Sequence, residues 1–303
     1  GLVFRAFVAK YVQMTEMRFD GKVAIVTGSG RGLGRAYALL LASRGAAVVV
    51  NNRTPEKADE VVAEITAAGG VAIADYHNVY QDGEMIVEAT VAKFGAVHIV
   101  IHNAGQLRDK SFKNMTFEDF QDVVNTHVHG SFKVTKAAWP YMTDQKYGRL
   151  VFISSFSGLF GNFGQANYSA AKGALMGLGQ TIGIEGWKNN IISNVICTEG
   201  ITRMNENIVP KEMHDKLKPE YAANAVVSLC HESCNSSAGV YQVEGGKIIK
   251  LRWQASHGLR YDPTQHGLDH VAGNWHQVME FDDRAFYISD AVHGKKMPAK
   301  AKL

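Results

Sequence analysis

Read as a pattern of apolar and polar positions, the chain from Lys22 onward alternates short, almost wholly apolar runs with longer amphipathic stretches. The runs at 23–27, 47–51, 71–75, 98–102, 149–154, 191–197 and 239–243 read as strands. They lack a polar face, as strands covered on both sides must. Between them, 32–43, 55–68, 82–94, 117–142, 165–187 and 218–231 have helical length and spacing. Strictly alternating β and α segments predict an α/β fold, a doubly wound parallel sheet of seven strands with helices on both faces. No Pro/Gly/Ser-rich linker or internal repeat divides the chain, so one domain, 18–250, is expected. A short extension, 1–17, precedes it, and a polar, His-rich one, 251–303, follows.

Composition narrows the function classes. A formal charge of +3 over 303 residues is too weak and dispersed for a nucleic-acid binder. The longest apolar run, 36–50, is interrupted by Arg44, so no membrane span is expected. Three cysteines, Cys197, Cys230 and Cys234, cannot form a fully paired framework and point to a reducing compartment. Cys230 and Cys234 are four apart, but no second ligand pair has zinc spacing, so packing is favoured over metal binding and no metal site is expected.

Two constellations carry chemistry. The first strand runs into Thr27-Gly28-Ser29-Gly30-Arg31-Gly32-Leu33-Gly34, and a helix follows at once. A glycine-rich turn that opens a helix lets backbone N–H groups approach a pyrophosphate at the positive helix end. The second set is Ser155 at the end of a strand with Tyr168 and Lys172, four apart and therefore on one helix face. An ammonium beside a phenol favours the phenolate, so Lys172 is expected to lower the Tyr168 pKa and make it a general base while Ser155 holds the substrate oxygen.

With these residues in place, the chain resembles the short-chain dehydrogenase/reductase family, through the glycine turn, Asn103-Ala104-Gly105 and the Ser155, Tyr168, Lys172 set. Within that family it is similar to the (3R)-hydroxyacyl-CoA dehydrogenase units of peroxisomal multifunctional enzymes. The similarity is carried by Arg18-Phe19-Asp20-Gly21, Leu107-Arg108-Asp109-Lys110-Ser111-Phe112, the run from Gly161 to Lys172, Leu217-Lys218-Pro219-Glu220-Tyr221 and Leu251-Arg252-Trp253, and it covers about residues 18–255. The resemblance implies a Rossmann fold, an acyl-CoA substrate, hydride transfer to a nicotinamide cofactor, NAD or NADP, and a homodimer. It also implies that His127, where most members have Asn, joins a proton relay. The cofactor residues it implies are Gly28 to Gly34, Asn52, Arg53, His77, Asn78, Asn103, Ala104, Gly105, Tyr168, Lys172, Thr198 and Gly200.

Departures from the family cluster around the same cleft. Asn52 and Arg53 stand where NAD-preferring members have an acid, which tips the expectation toward NADP. His77 replaces an Asp, His102 an Asn and Thr198 a Pro, and Glu199 follows Thr198. These changes keep a second reading open, a catalytically impaired relative serving as an accessory subunit of a larger mitochondrial complex. The addresses divide in the same way. Ala301-Lys302-Leu303 resembles a peroxisomal tail signal, and the basic segment before Met17, with Arg5 and Lys10 opposite Phe4, Phe7 and Tyr11, resembles a mitochondrial remnant. The peroxisome is favoured.

Overall fold

The computed structural model describes residues 16–198 and 218–287. The expected segment 1–17 falls almost wholly outside these residues, as do Glu199, Gly200 and the tail tripeptide Ala301-Lys302-Leu303. Strands β1 (Val23–Thr27), β2 (Ala47–Asn51), β3 (Val71–Asp75), β4 (Ile99–His102), β5 (Gly148–Ser154), β6 (Ile191–Thr198) and β7 (Val240–Glu244) pair in parallel in the order β3-β2-β1-β4-β5-β6-β7. Helix α1 (Gly32–Ser43) and α2 (Pro55–Ala67) connect the first three strands, and α3 (Gly83–Phe94) leads to β4. The chain order reverses between β1 and β4. In open α/β sheets, the crevice at such a reversal, beyond the carboxyl ends of the strands, is where ligands bind.

Each face of the sheet has its own core. On one, Phe19, Tyr37, Leu41 and Ile65 pack with Val226 of helix α8 (Pro219–Cys230). On the other, Ile86, Met142, Phe152 and Leu175 pack together.

The single helix expected over 117–142 is three pieces. Helix α4 (Phe117–Val124) passes into one turn of π-helix, Asn125–His129, and then into α5 (Gly130–Asp144). Apolar spacing cannot register one wide turn, because the periodicity resumes beyond it. After β5 come a short α6 (Phe156–Phe160) and the long α7 (Ala166–Gly186).

The expectation of seven parallel strands needs one correction. An eighth strand, β8 (Lys247–Leu251), pairs antiparallel with β7 through Gly245 and Gly246, at φ of 51° and 82°. Such left-handed angles suit glycine and close a tight hairpin. An edge strand with the mixed, largely exposed sequence Lys-Ile-Ile-Lys-Leu does not match the template for strands buried on both faces. The sheet therefore runs one residue past the boundary expected at 250. Beyond it lie a two-stranded ribbon, β9 (Gln254–Ala255) with β10 (Phe286–Tyr287), and short helices α9 (Leu268–Gly273) and α10 (Trp275–Met279). No helix among the described residues is long and apolar enough to cross a membrane.

Candidate active site

The glycine turn is fastened to the end of β4. Gly28 has φ of 64°, and a Cβ there would stand 2.7 Å from the Cα of Ala104, so the two backbones are in direct contact. The Asn103 side-chain amide donates to the carbonyls of Thr27 and Gly28, both at 3.0 Å. In return, Thr27 Oγ1 accepts from the backbone N–H groups of Asn103 and Ala104, both at 3.0 Å. A Cβ on Gly34 would lie 2.5 Å from Asn103 Nδ2, so the helix can enter only with glycine there. Arg31 opens α1 without a side-chain cap, and the first turn carries no acid. The first N–H groups of this helix are thus left to a ligand, at its positive end.

The residues expected at the nucleotide divide into those that face the crevice and those that build its floor. Ser29 is fully buried, its hydroxyl donating to Val26 O at 2.6 Å and its N–H to Asn51 O at 2.9 Å. Leu33 packs against the core. Asn52 lies against Gly30, where a Cβ would meet its Nδ2 at 2.5 Å. Arg53 is exposed. His77 is held through Nδ1 by the buried carboxylate of Asp75 at 2.8 Å, and the same carboxylate accepts from Asn51 Nδ2 at 2.7 Å. Asp75 is a residue that sequence reading missed: an acid lies beneath the cleft, two positions before the expected one. Asn78 Oδ1 accepts from the N–H groups of Tyr80 and Gln81, which commits that oxygen to the turn. Thr198 is buried at the end of β6. His102 is a core residue: it stacks on Phe152 with centroids 4.4 Å apart, and its Nε2 lies 2.8 Å from Thr135 Oγ1.

The acid/base set comes together at the ends of β5 and the start of α7. Ser155 caps α6, accepting from Ser157 N–H at 3.2 Å, and its side chain favours the Tyr168 phenolate. Lys172 is buried, with Nζ 5.3 Å from the Tyr168 ring centroid and donating to Ile153 O at 2.7 Å. Burial pushes the Lys172 ammonium down to about 7. Burial likewise pushes the Tyr168 phenol up to about 12, with Ser155 pulling the other way. This corrects the expectation that Lys172 lowers the phenol. The ammonium donates to a backbone carbonyl, and desolvation is what dominates the phenol.

His127 lies within the π turn, edge-on to Tyr168 with ring centroids 5.5 Å apart. Its Nε2 is 3.1 Å from Gln106 N and 3.0 Å from Gln106 O, while its buried Nδ1 has no partner. Burial and the nearby Lys172 charge push its pKa down to about 3, so it is neutral near pH 7. Single π turns recur at functional sites, and this one carries the imidazole to the phenol. Gly105 packs directly on the imidazole, so a side chain at 105 would evict it. Among the described residues, no group of three or more His, Cys, Asp or Glu side chains could hold a metal ion.

The fold agrees with what the chain is similar to. The sequence profile of the short chain dehydrogenases matches residues 22–213. Peroxisomal multifunctional enzyme type 2 of Mus musculus is 45% identical over 278 residues, which is 88% of this chain and 38% of that protein. The chain thus spans little more than a third of that relative's length. Among solved structures, the full-length peroxisomal multifunctional enzyme type 2 from Drosophila melanogaster superposes with a TM-score of 0.78 at 42% identity, covering 90% of this chain and 48% of that one. A 7α-hydroxysteroid dehydrogenase complexed with NADH and 7-oxo glycochenodeoxycholic acid gives 0.70 at 28% identity, covering 76% and 95%.

Proposed function

This chain belongs to the short-chain dehydrogenase family, and from that premise we propose that it oxidises (3R)-hydroxyacyl-CoA thioesters to the 3-ketoacyl-CoA, with a nicotinamide cofactor as acceptor. The observation that carries the reading is the convergence of Ser155, Tyr168 and Lys172 beside a glycine turn whose helix end is uncapped. The turn fits a dinucleotide: Gly28, Gly30 and Gly34 stand where any Cβ would collide, and the free N–H groups of α1 suit a pyrophosphate. When bound, the nicotinamide supplies the hydride acceptor.

The chain's own residues manage the proton. Ser155 holds the substrate oxygen. Tyr168 takes the hydroxyl proton during oxidation and returns it to the ketone during reduction. As a protonated phenol in this structure it is set to donate, and the oxidative direction needs the Lys172 charge drawn toward it. We assign His127 to the relay as a neutral, hydrogen-bonding member through its unpartnered Nδ1.

The acyl-CoA substrate rests on the sequence resemblance at 107–112 and 161–172; the peroxisomal relative named above supports a peroxisomal location, and the family favours a dehydrogenase over an accessory subunit of a mitochondrial complex. We further propose a homodimer, and NADP as the preferred cofactor. The exposed Arg53 guanidinium beside Asn52 suits a 2′-phosphate, where an acid would repel it.

The deciding experiment follows the absorbance of the reduced nicotinamide with (3R)- and (3S)-hydroxyacyl-CoA as alternative substrates. Turnover of the 3R isomer alone is expected, and nucleotide binding without turnover of either overturns the reading. Arg53→Ala should weaken NADP(H) selectively, by roughly 1.5–3 kcal/mol. Equal weakening of NAD(H) in a titration of both cofactors would reject the phosphate contact.

A further inference from the structure

One side-chain amide joins the catalytic helix to two segments distant from it in sequence. Asn167 is wholly buried in the first turn of α7, directly before Tyr168. Its Nδ2 donates to Arg108 O and to Asp119 O, both at 3.0 Å. Its Oδ1 accepts from the Tyr168 N–H at 2.8 Å. Both amide hydrogens and the carbonyl oxygen are therefore used, across sequence separations of 59 and 48 residues and at the reacting residue itself.

The neighbours make these bonds more than general packing. The N-cap of α7, Gln165, makes no side-chain cap bond, so Asn167 supplies the acceptor for an N–H that would otherwise lack one. Arg108 belongs to the segment after β4 whose Gln106 backbone faces His127 Nε2, with N at 3.1 Å and O at 3.0 Å. Asp119 sits in the capping box of α4, which runs into the π turn carrying the same His127. His127 in turn lies edge-on to the Tyr168 ring. The chain of contacts closes on itself: Asn167 fixes the backbone of Tyr168 and, through two other segments, the imidazole against which its ring rests.

We propose that Asn167 is a positioning residue for proton transfer, setting Tyr168 against Ser155 and His127 by tying α7 to Arg108 and Asp119. The proposal rests on the reading of Tyr168 as the acid/base. The position demands two donors and one acceptor from a short planar group. Aspartate offers no donor when ionised, serine has a single one, and glutamine carries one methylene too many. Misplacement of a reacting group by about 1 Å can cost on the order of 10²-fold in rate.

The test uses three readouts on the wild type, Asn167→Ala and Asn167→Asp: affinity for NAD(P)H by fluorescence titration, kcat and KM for the hydroxyacyl-CoA, and the ultraviolet titration of the Tyr168 phenol, isolated by subtracting Tyr168→Phe. For both variants, kcat should fall by about 10- to 100-fold with nucleotide affinity at the wild-type value, and the Tyr168 titration should move. The aspartate variant is nearly isosteric, so a role in filling space alone would leave it close to wild type, and that result overturns the proposal. An unchanged kcat and titration in Asn167→Ala, or nucleotide affinity falling in step with kcat in both variants, also overturns it. If the wild type does not turn over the thioester, the substrate reading fails, and the phenol titration alone still decides the role of Asn167.

Discussion

Strand β5 has a buried cation at each end, and the two are treated in opposite ways. At its start, Arg149 is 1% exposed, yet its guanidinium donates to Gly148 O and Asn190 O at 2.8 and 2.9 Å and reaches Asn190 Oδ1, His231 O and Glu232 O at 3.3 to 3.4 Å. It also lies over the Tyr147 ring, 4.3 Å from the centroid. Two of those carbonyls follow the end of α8, whose negative pole favours a cation. At the other end of β5, Lys172 is 4% exposed and has one hydrogen bond, to Ile153 O. A planar fork with five donors can satisfy itself among fixed carbonyls, whereas an ammonium with one acceptor stays under-solvated and responsive. The amino ends of the strands are built for stability. The carboxyl ends hold Lys172, with its single acceptor, and the unpartnered His127 Nδ1, on which chemistry depends.

The comparison can be broken first at the phenol. Tyr168→Phe should lower turnover by roughly 10²–10⁴-fold, with melting temperature and nucleotide affinity preserved. A steady-state assay beside a fluorescence titration checks this, and near-normal turnover would remove the acid/base assignment on which the contrast rests.

The next largest effect belongs at the opposite end. Arg149→Met should destabilise the fold by about 2–4 kcal/mol, because it leaves a set of buried carbonyls without donors. At a temperature where the variant is folded, kcat should be unchanged. Denaturant unfolding curves give the first quantity and the same assay the second. A variant as stable as the parent would mean that the carbonyls find other donors.

Lys172 sharpens the contrast through pH. Its folded pKa, about 7, is below the ordinary lysine value, so between pH 7 and that value the unfolded chain binds more protons than the folded one. Stability of the cofactor-free protein should therefore rise as pH increases across this window, by at most about 1.4 kcal/mol per pH unit. Below pH 7 both states are protonated and the penalty is fully present. Lys172→Met should abolish the slope and raise stability at neutral pH while removing turnover. Unfolding free energies at several pH values measure this, and an identical slope in both proteins would show that the lysine is better solvated than its geometry implies.

Much of this was legible in the residues. The strand runs at 23–27 and 47–51 coincide with the structure, because burial on both faces leaves a continuous apolar signature, and the run at 71–75 and the helix at 32–43 coincide as well. Gly28, Gly30, Gly34, Ser155, Tyr168 and Lys172 are recognisable because their spacing is set by short-range geometry: a turn of fixed shape, and one helical repeat between phenol and amine. β8 was not legible, since an exposed edge strand carries a mixed pattern, and neither was the π turn, which leaves the apolar period intact on both sides.

The sequence by itself determined the alternation of elements and the chemical identity of the groups at the ends of the strands. Only the tertiary structure decided what each group experiences. Ser29 faces inward, Asp75 lies beneath His77, the Lys172 ammonium turns to Ile153 O, and Asn167 joins segments 48 and 59 residues away. The reason is physical. Periodicity and spacing are local properties of a chain, whereas desolvation and hydrogen-bond partnership depend on neighbours that only the folded packing brings within a few ångströms.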